Sequence, residues 1–184
     1  HPRVQLNVSC DLTLNLIDGF RRGNYDVILV KRDPKAAKGG TKVWRETLVW
    51  AAADHHKLEK PLSLVLSPQP CIYRSRALAA LDKAKKPWRI PYTIPSLAGT
   101  IAAVKAGLGF AVLPANMLPS GIHPIRKEIK LPELADAEIN PMKRDNISKA
   151  SEILAKHIMH SLESNVSYYK AWEPARVKPL ENGE

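Results

Sequence analysis

Apolar residues in the first part of the chain switch between the spacings typical of strands and of helices. Apolar and polar side chains alternate over residues 4–8, which predicts a half-buried strand. A helical face follows over residues 12–20, and Gly23 stands where a left-handed residue commonly ends a helix. The continuous apolar run at residues 25–30 then predicts a strand buried on both faces. This order predicts a βαβ unit with two parallel strands.

The same switching continues through the middle of the chain. A basic, glycine-containing loop at residues 31–41 leads into an extended stretch at residues 43–53, and the pattern restarts after Pro61. From there the predicted strands are residues 62–66, 88–93 and 110–113, and the predicted helices are residues 75–84 and a helix from the Ser96 cap to Gly107.

The last third of the chain carries one further strand and one long helix. Residues 137–143 predict a strand, and Pro141 places it at a sheet edge or a crossing point. Asn146 is the predicted cap of an amphipathic helix. Residues 165–184 lose this periodicity, so we expect a partly disordered tail.

These elements predict an α/β fold with two lobes. We expect residues 1–51 and 138–164 to form the first lobe and residues 52–137 the second. The chain then crosses between the lobes twice, at about residues 51–53 and 134–137. Two lobes joined by two crossover strands enclose a cleft, which is where open α/β folds bind ligands.

Composition narrows the class of protein without naming its ligand. The 184 residues are 45% apolar and 25% charged, which is typical of a globular chain and not of collagen or a disordered polymer. No apolar run approaches the roughly 18 residues of a membrane helix. The formal charge of +10 favours an acidic ligand or nearby nucleic acid, although no basic block forms a DNA-reading motif. Two cysteines are too few for a disulfide framework and fit a reducing cytoplasm.

Three segments of the chain carry short motifs that follow one another in the sequence. Gly23–Ile28 (GNYDVI) has the form G-x-x-D-hydrophobic. Glu46–His55 (ETLVWAAADH) is similar to E-x-L-V-x-V-x-P-x-H, and Ala103–Pro114 (AVKAGLGFAVLP) is similar to V-A-x-G-x-G-I-A-x-L-P. With these segments the chain resembles, over roughly residues 1–163, the effector-binding domain of LysR-type transcriptional regulators.

The resemblance implies a type II periplasmic-binding-protein-like fold with a small-molecule effector between the lobes. It places the start of this chain after the family's DNA-binding helix-turn-helix and after the first strand and helix of the first lobe. We therefore expect the effector-sensing and oligomerising part of a bacterial regulator that forms homodimers or homotetramers and contacts DNA through a domain outside this chain. No membrane partner is expected. A solute-binding protein of an ABC-type uptake system shares the fold and is the alternative.

Candidate effector contacts follow the carboxyl ends of the predicted strands, where backbone N–H groups and helix N-termini favour anions. Lys31 lines up with a position where some relatives in the family carry a ligand-binding arginine, and a lysine there pairs with a carboxylate as a point charge. Alternative interpretations are turn chemistry, a solvated loop cation, a helix cap at Ser96 and inert buried thiols. The predicted contacts are Ser9, Cys10, Lys31, Ser67, Gln69, Pro70, Cys71, Thr93 and Ser96.

Other chemical motifs are discounted. The Gly107–Gly109 segment ends a helix and opens a strand, the reverse of the order that phosphate binding needs. His157 and His160 are three residues apart on a helix, where zinc could join them to Glu163, but no further ligand cluster accompanies them. The sequence has no G-x-S-x-G motif and no paired catalytic carboxylates. We therefore predict no enzymatic activity, no metal and no cofactor.

Overall fold

The computed structural model describes residues 4–32, 44–56, 59–125 and 130–170. Its helices are α1 (Thr13–Arg21), α2 (Ile72–Lys83), α3 (Leu97–Lys105) and α4 (Lys149–Lys170), with a short 3-10 turn at Ala115–Met117. Its strands are β1 (Val27–Arg32), β2 (Trp44–Glu46), β3 (Leu48–Ala52), β4 (Leu62–Leu66), β5 (Trp88–Thr93), β6 (Ala111–Pro114), β7 (His123–Pro124) and β8 (Ala137–Lys143). No helix within the described ranges has the length and apolar character needed to cross a membrane.

The first lobe is built on an antiparallel sheet in the order β1-β8-β2. Of the two positions predicted for β8, a sheet edge or a crossing point, the sheet edge is wrong, because β8 is the central strand. Pro141 pairs with Leu29 of β1, while pairing with β2 ends at Ile139. Among the described residues, Pro141 therefore lies on the β1 side of the ladder, two positions beyond the last described β2 pair.

Residues 4–8 are extended but join no strand of the described chain. Val4, Leu6 and Val8 are 51%, 60% and 75% exposed, so the predicted half-buried strand is wrong. An extended segment becomes a strand only when a neighbour takes its backbone hydrogen bonds. Among the described residues, β1 has β8 as its one partner, so the predicted parallel βαβ unit does not form here.

The second lobe is a five-stranded layer in the order β5-β4-β6-β3-β7. A parallel bridge between Leu64 and Phe110 joins β4 to β6, and Phe110 exchanges backbone hydrogen bonds of 2.8 Å with Ser63 and Val65. The period of two along each strand sends alternate side chains to opposite faces. Helix α2 covers one face, through Ala77 and Leu81, and α3 covers the other.

The chain leaves the first sheet earlier than predicted. Glu46 is the last β2 residue paired with β8, and Leu48 already pairs with β6. The chain therefore passes from the first sheet to the next at Thr47, four residues before the predicted crossing at residues 51–53, and it rejoins the first sheet at Ala137.

Helix ends differ from the predicted ones where more than one cap was available. Ser148 caps α4 by accepting a 3.1 Å hydrogen bond from the Ser151 N–H, so the cap predicted at Asn146 is wrong. Helix α2 begins three residues before the predicted Ser75. Helix α4 continues to Lys170, into the predicted tail, and residues 171–184 lie outside the described chain, as do residues 33–41 of the predicted basic loop.

Candidate functional site

Three side chains from both lobes meet where the first sheet faces the start of α2. Lys31 is the next-to-last residue of β1, Glu46 ends β2, and Tyr73 is the second residue of α2. The Tyr73 hydroxyl donates to Glu46 Oε2 and accepts from Lys31 Nζ. Lys31 Nζ lies 3.6 Å from Glu46 Oε2 and 4.2 Å from the centroid of the Tyr73 ring. This Lys31–Tyr73–Glu46 cluster ties the two lobes together.

Burial sets the electrostatics of this cluster. The Glu46 side chain is only 6% exposed, whereas the Lys31 side chain is 39% exposed and remains accessible. Burial raises the pKa of the Tyr73 hydroxyl well above its ordinary value of 10, and the adjacent Glu46 carboxylate raises it further. Tyr73 therefore stays a neutral phenol that donates one hydrogen bond and accepts another.

The predicted turn at residues 67–71 lies directly before Tyr73. Ser67 and Cys71 are half-buried, while Gln69 and Pro70 are exposed. Arg74 Nη1 donates a 3.0 Å hydrogen bond to the Ser67 carbonyl. The Nε of Arg74 is buried without a hydrogen-bond partner in the described part of the chain. The turn therefore lies beside the positively charged Arg74, whose buried Nε makes no hydrogen bond within the described chain.

Thr93 and Ser96 lie beside this turn because β4 and β5 run parallel. Leu66 pairs with Thr93, and Ile94 N–H donates a 2.9 Å hydrogen bond to the Leu66 carbonyl. The carboxyl ends of the two strands thus bring residues 67–71 and residues 93–96 to one edge of the second lobe. Thr93 and Ser96 are both exposed there.

Ser96 caps α3, as the sequence predicts. Its Oγ accepts a 3.1 Å hydrogen bond from the Gly99 N–H. Replacing Ser96 with Ala should lower the free energy of unfolding by about 1 kcal/mol, because one N–H of the first turn loses its partner. Urea unfolding followed by circular dichroism measures the change. Ser96→Asp, which keeps an accepting oxygen, should retain most of the stability, and equal losses in both variants would contradict the capping role.

Ser9 and Cys10 lie apart from the Lys31–Tyr73–Glu46 cluster. Ser9 lines a surface groove of about 630 Å³ with residues 24–27 and the start of α4. Both residues are exposed in the segment before α1, and neither follows a paired strand. Cys10 and Cys71 are free thiols, but the interpretation of both as buried is wrong for Cys10.

Sequence reasoning missed Glu46 and Tyr73. A signal for Glu46 was present, since it alternates in phase with the buried Trp44 and Leu48, and a carboxylate in such a position needs a cation or donor. Tyr73 gave no comparable signal, because its partners are 27 and 42 residues away in the sequence.

The discounted motifs have structural explanations. Gly107, at φ +74°, follows the end of α3 and turns the chain toward β6. A Cβ on Gly109 would lie 2.7 Å from the Ser63 carbonyl oxygen, so this glycine permits the close approach of β4. In the part of the chain that the structure describes, no three His, Cys, Asp or Glu side chains cluster in a way that holds a metal.

Comparison with known proteins gives one family. The sequence model of the LysR substrate binding domain matches residues 1–141. The HTH-type transcriptional regulator PecT of Dickeya dadantii (strain 3937) is 29% identical over 136 residues, covering 73% of this chain and 43% of PecT. The HTH-type transcriptional regulator DgdR of Burkholderia cepacia is 28% identical over 163 residues, covering 86% of this chain and 54% of DgdR. The chain thus spans about half the length of these curated relatives.

A solved structure supports the same fold. The CcmR regulatory domain of Synechocystis PCC6803, in complex with 2-PG, superposes with a TM-score of 0.63 at 14% identity, covering 89% of this chain and 86% of that domain. The predicted two-lobed, periplasmic-binding-protein-like fold is therefore confirmed. Because the matched relatives are transcriptional regulators, the comparisons favour the regulator over the solute-binding alternative.

Proposed function

The chain belongs to the LysR substrate-binding-domain family, and on that premise we propose that it is the effector-sensing part of a bacterial transcriptional regulator. A small anionic or polar metabolite binds between the lobe carrying β1, β2 and β8 and the lobe carrying α2. The complete regulator acts in the cytoplasm as a homodimer or homotetramer and contacts DNA through a domain outside this chain. The names of PecT and DgdR and the 2-PG carried by the CcmR domain support this proposal.

The observation that carries the proposal is the Lys31–Tyr73–Glu46 cluster. Its two hydrogen bonds connect strands of one lobe to the first turn of a helix in the other, and its ion pair joins β1 to β2 within the first lobe. Lys31 and Arg74 bring two positive charges to this junction, where Glu46 brings one negative charge. A ligand carboxylate matches the excess positive charge at this junction.

A ligand at this junction changes the balance between arrangements of the lobes. A carboxylate that pairs with Lys31 competes with Glu46 and Tyr73 for the same ammonium group. Because the Lys31–Tyr73 contact connects the two lobes, the ligand binds the two lobe arrangements with different affinity, which is the condition for a shift in population. The lobe movement then reaches the attached DNA-binding domains.

Binding of small dicarboxylates to the 184-residue chain tests the proposal. Succinate, malate and glutarate are compared by thermal shift and calorimetry. A ligand present at 100 times its dissociation constant should stabilise the chain by about 2.7 kcal/mol. Lys31→Met should weaken the best ligand about tenfold, which reduces that stabilisation to about 1.4 kcal/mol at the same concentration.

The matched control is Lys83→Met in the last turn of α2, which removes the same charge at the opposite end of the helix. This variant should bind like the wild type. Equal affinities of wild type and Lys31→Met would contradict the proposed site, and a panel without any stabilising ligand would contradict the ligand class. Electrophoretic mobility shifts of the complete regulator on its own promoter, with and without the ligand, test the regulatory role separately.

A further inference from the structure

We propose that a concavity at the base of the second lobe is a second ligand site, which takes a small carboxylate with an apolar or aromatic body. This basal cavity has a volume of about 380 Å³, and its lining includes His55, His56, Ser63, Arg89, Tyr92 and Leu108. It lies at the opposite end of the sheet from the 67–71 turn, since Ser63 and Arg89 stand near the beginnings of β4 and β5. Nothing in the proposed effector cleft uses these residues.

The basal cavity exists because α3 ends before it has covered the whole sheet face. Ser63 and Val65 are two residues apart on β4, so their side chains face the same side of the sheet. Val65 packs against α3 on that side. Helix α3 ends at Lys105, and Gly107 turns the chain away at φ +74°. The sheet face around Ser63 and its pairing partner Arg89 is therefore not covered by α3, and it forms the bottom of the cavity beside the 106–108 turn.

Arg89 supplies the group that recognises the carboxylate. Its Nε donates a 3.0 Å hydrogen bond to the Oγ of Ser63, a buried residue, so the guanidinium is oriented before any ligand arrives. Its Nη2 lies 3.7 Å from Glu59 Oε2, and the two side chains are 56% and 66% exposed. Exposed ion pairs contribute little to stability, so a ligand carboxylate replaces Glu59 at small cost. The planar guanidinium then offers two parallel donors.

The histidines and two apolar side chains shape the rest of the cavity. His56 Nδ1 donates a 2.8 Å hydrogen bond to the Gly107 carbonyl, and its ring meets the Phe110 ring edge-on at 4.5 Å. This wall is therefore fixed. Tyr92 and Leu108 are 37% and 39% exposed and present apolar surface beside the arginine. One oriented cation next to exposed apolar surface suits a monocarboxylate with an apolar body better than a small divalent anion.

Amide NMR titrations of the 184-residue chain test the proposal with benzoate. Benzyl alcohol has a similar body without the charge, and inorganic phosphate has charge without the body. Benzoate should shift the amide signals of Ser63, Arg89 and residues 106–108 and bind at least about tenfold more tightly than either comparison compound. Benzoate shifts confined to Lys31 and residues 67–71 would locate binding in the cleft and overturn the proposal.

Charge-matched variants complete the test. Arg89→Gln should weaken benzoate at least about tenfold, and Arg89→Lys should weaken it less, because a lysine keeps the charge but not the parallel donors. Arg22→Gln, just after the end of α1, removes the same charge from the other lobe and should leave the affinity unchanged. Equal affinities of wild type and Arg89→Gln, or the absence of any shift at millimolar benzoate, would overturn the proposal.

Discussion

Replacing Tyr73 with Phe should lower the free energy of unfolding at neutral pH by about 2 kcal/mol. The substitution keeps the ring under Lys31 but removes the hydroxyl that donates to Glu46 and accepts from Lys31. Glu46 is then a buried carboxylate with a missing donor, and an unsatisfied buried group of this kind costs about 1–3 kcal/mol. Urea unfolding followed by circular dichroism measures the loss.

A surface tyrosine provides the matched control. Tyr92 is 37% exposed on β5, and Tyr92→Phe should change the stability by less than about 0.5 kcal/mol. In a double-mutant cycle, Tyr73→Phe and Glu46→Gln should be coupled by about 0.5–3 kcal/mol because the two side chains share a hydrogen bond. Additive losses would mean that Tyr73 stabilises the fold independently of Glu46.

Alkaline pH gives a second readout of the same contact. Because the pKa of Tyr73 is raised in the folded chain, the folded phenol keeps its proton at pH values where the unfolded one loses it. The stability from this group is complete below pH 10 and decreases as the pH rises above 10. In that range the wild type should lose about 1 kcal/mol more per pH unit than Tyr73→Phe. Parallel pH profiles would contradict the raised pKa.

Replacing Phe110 with Ala should lower the free energy of unfolding by about 3–5 kcal/mol, the range typical of a deleted buried aromatic ring. The side chain of Phe110 is 2% exposed in the core beneath α2. Its backbone joins β4 to β6, and its ring supports His56 at the wall of the basal cavity. The loss approaches the whole stability of a marginal domain, about 5–15 kcal/mol. Urea unfolding at 25 °C measures it.

A conservative variant keeps the experiment informative if Phe110→Ala does not fold. Phe110→Leu retains most of the apolar volume and should lose less than about 1.5 kcal/mol. It should still weaken benzoate at the basal cavity, because the His56 ring loses its aromatic neighbour. A loss below about 1.5 kcal/mol in Phe110→Ala itself would show that the junction of β4 and β6 does not depend on this ring.

The elements that were predicted correctly are those whose signals are local. Strand β4 is a short apolar run bounded by prolines, and α3 has a serine cap at Ser96 and a glycine at its end. Such features act within one or two turns of the chain, so their outcome does not depend on distant residues. The motifs at residues 46–55 and 103–114 carry the resemblance to the family, and that resemblance implies the two-lobed fold.

The errors concern features that depend on neighbours. Residues 4–8 have the alternation of a strand, but no adjacent strand of the described chain takes their hydrogen bonds. Strand β8 has a proline typical of an edge, yet its central position follows from pairing with both β1 and β2. Ser148 and not Asn146 caps α4, although either side chain suits the role.

The effector contacts at Lys31 and the 67–71 turn stay predictions. The structure places Lys31 within β1 and the turn directly before α2. The sequence offered no reason to join Lys31 to Tyr73, since a hydrogen bond across 42 residues leaves no trace in local periodicity. The sequence by itself thus determined the family, the two-lobed fold and most elements. Only the tertiary structure decided which charges neutralise each other, because burial and partner distance arise when separate elements pack.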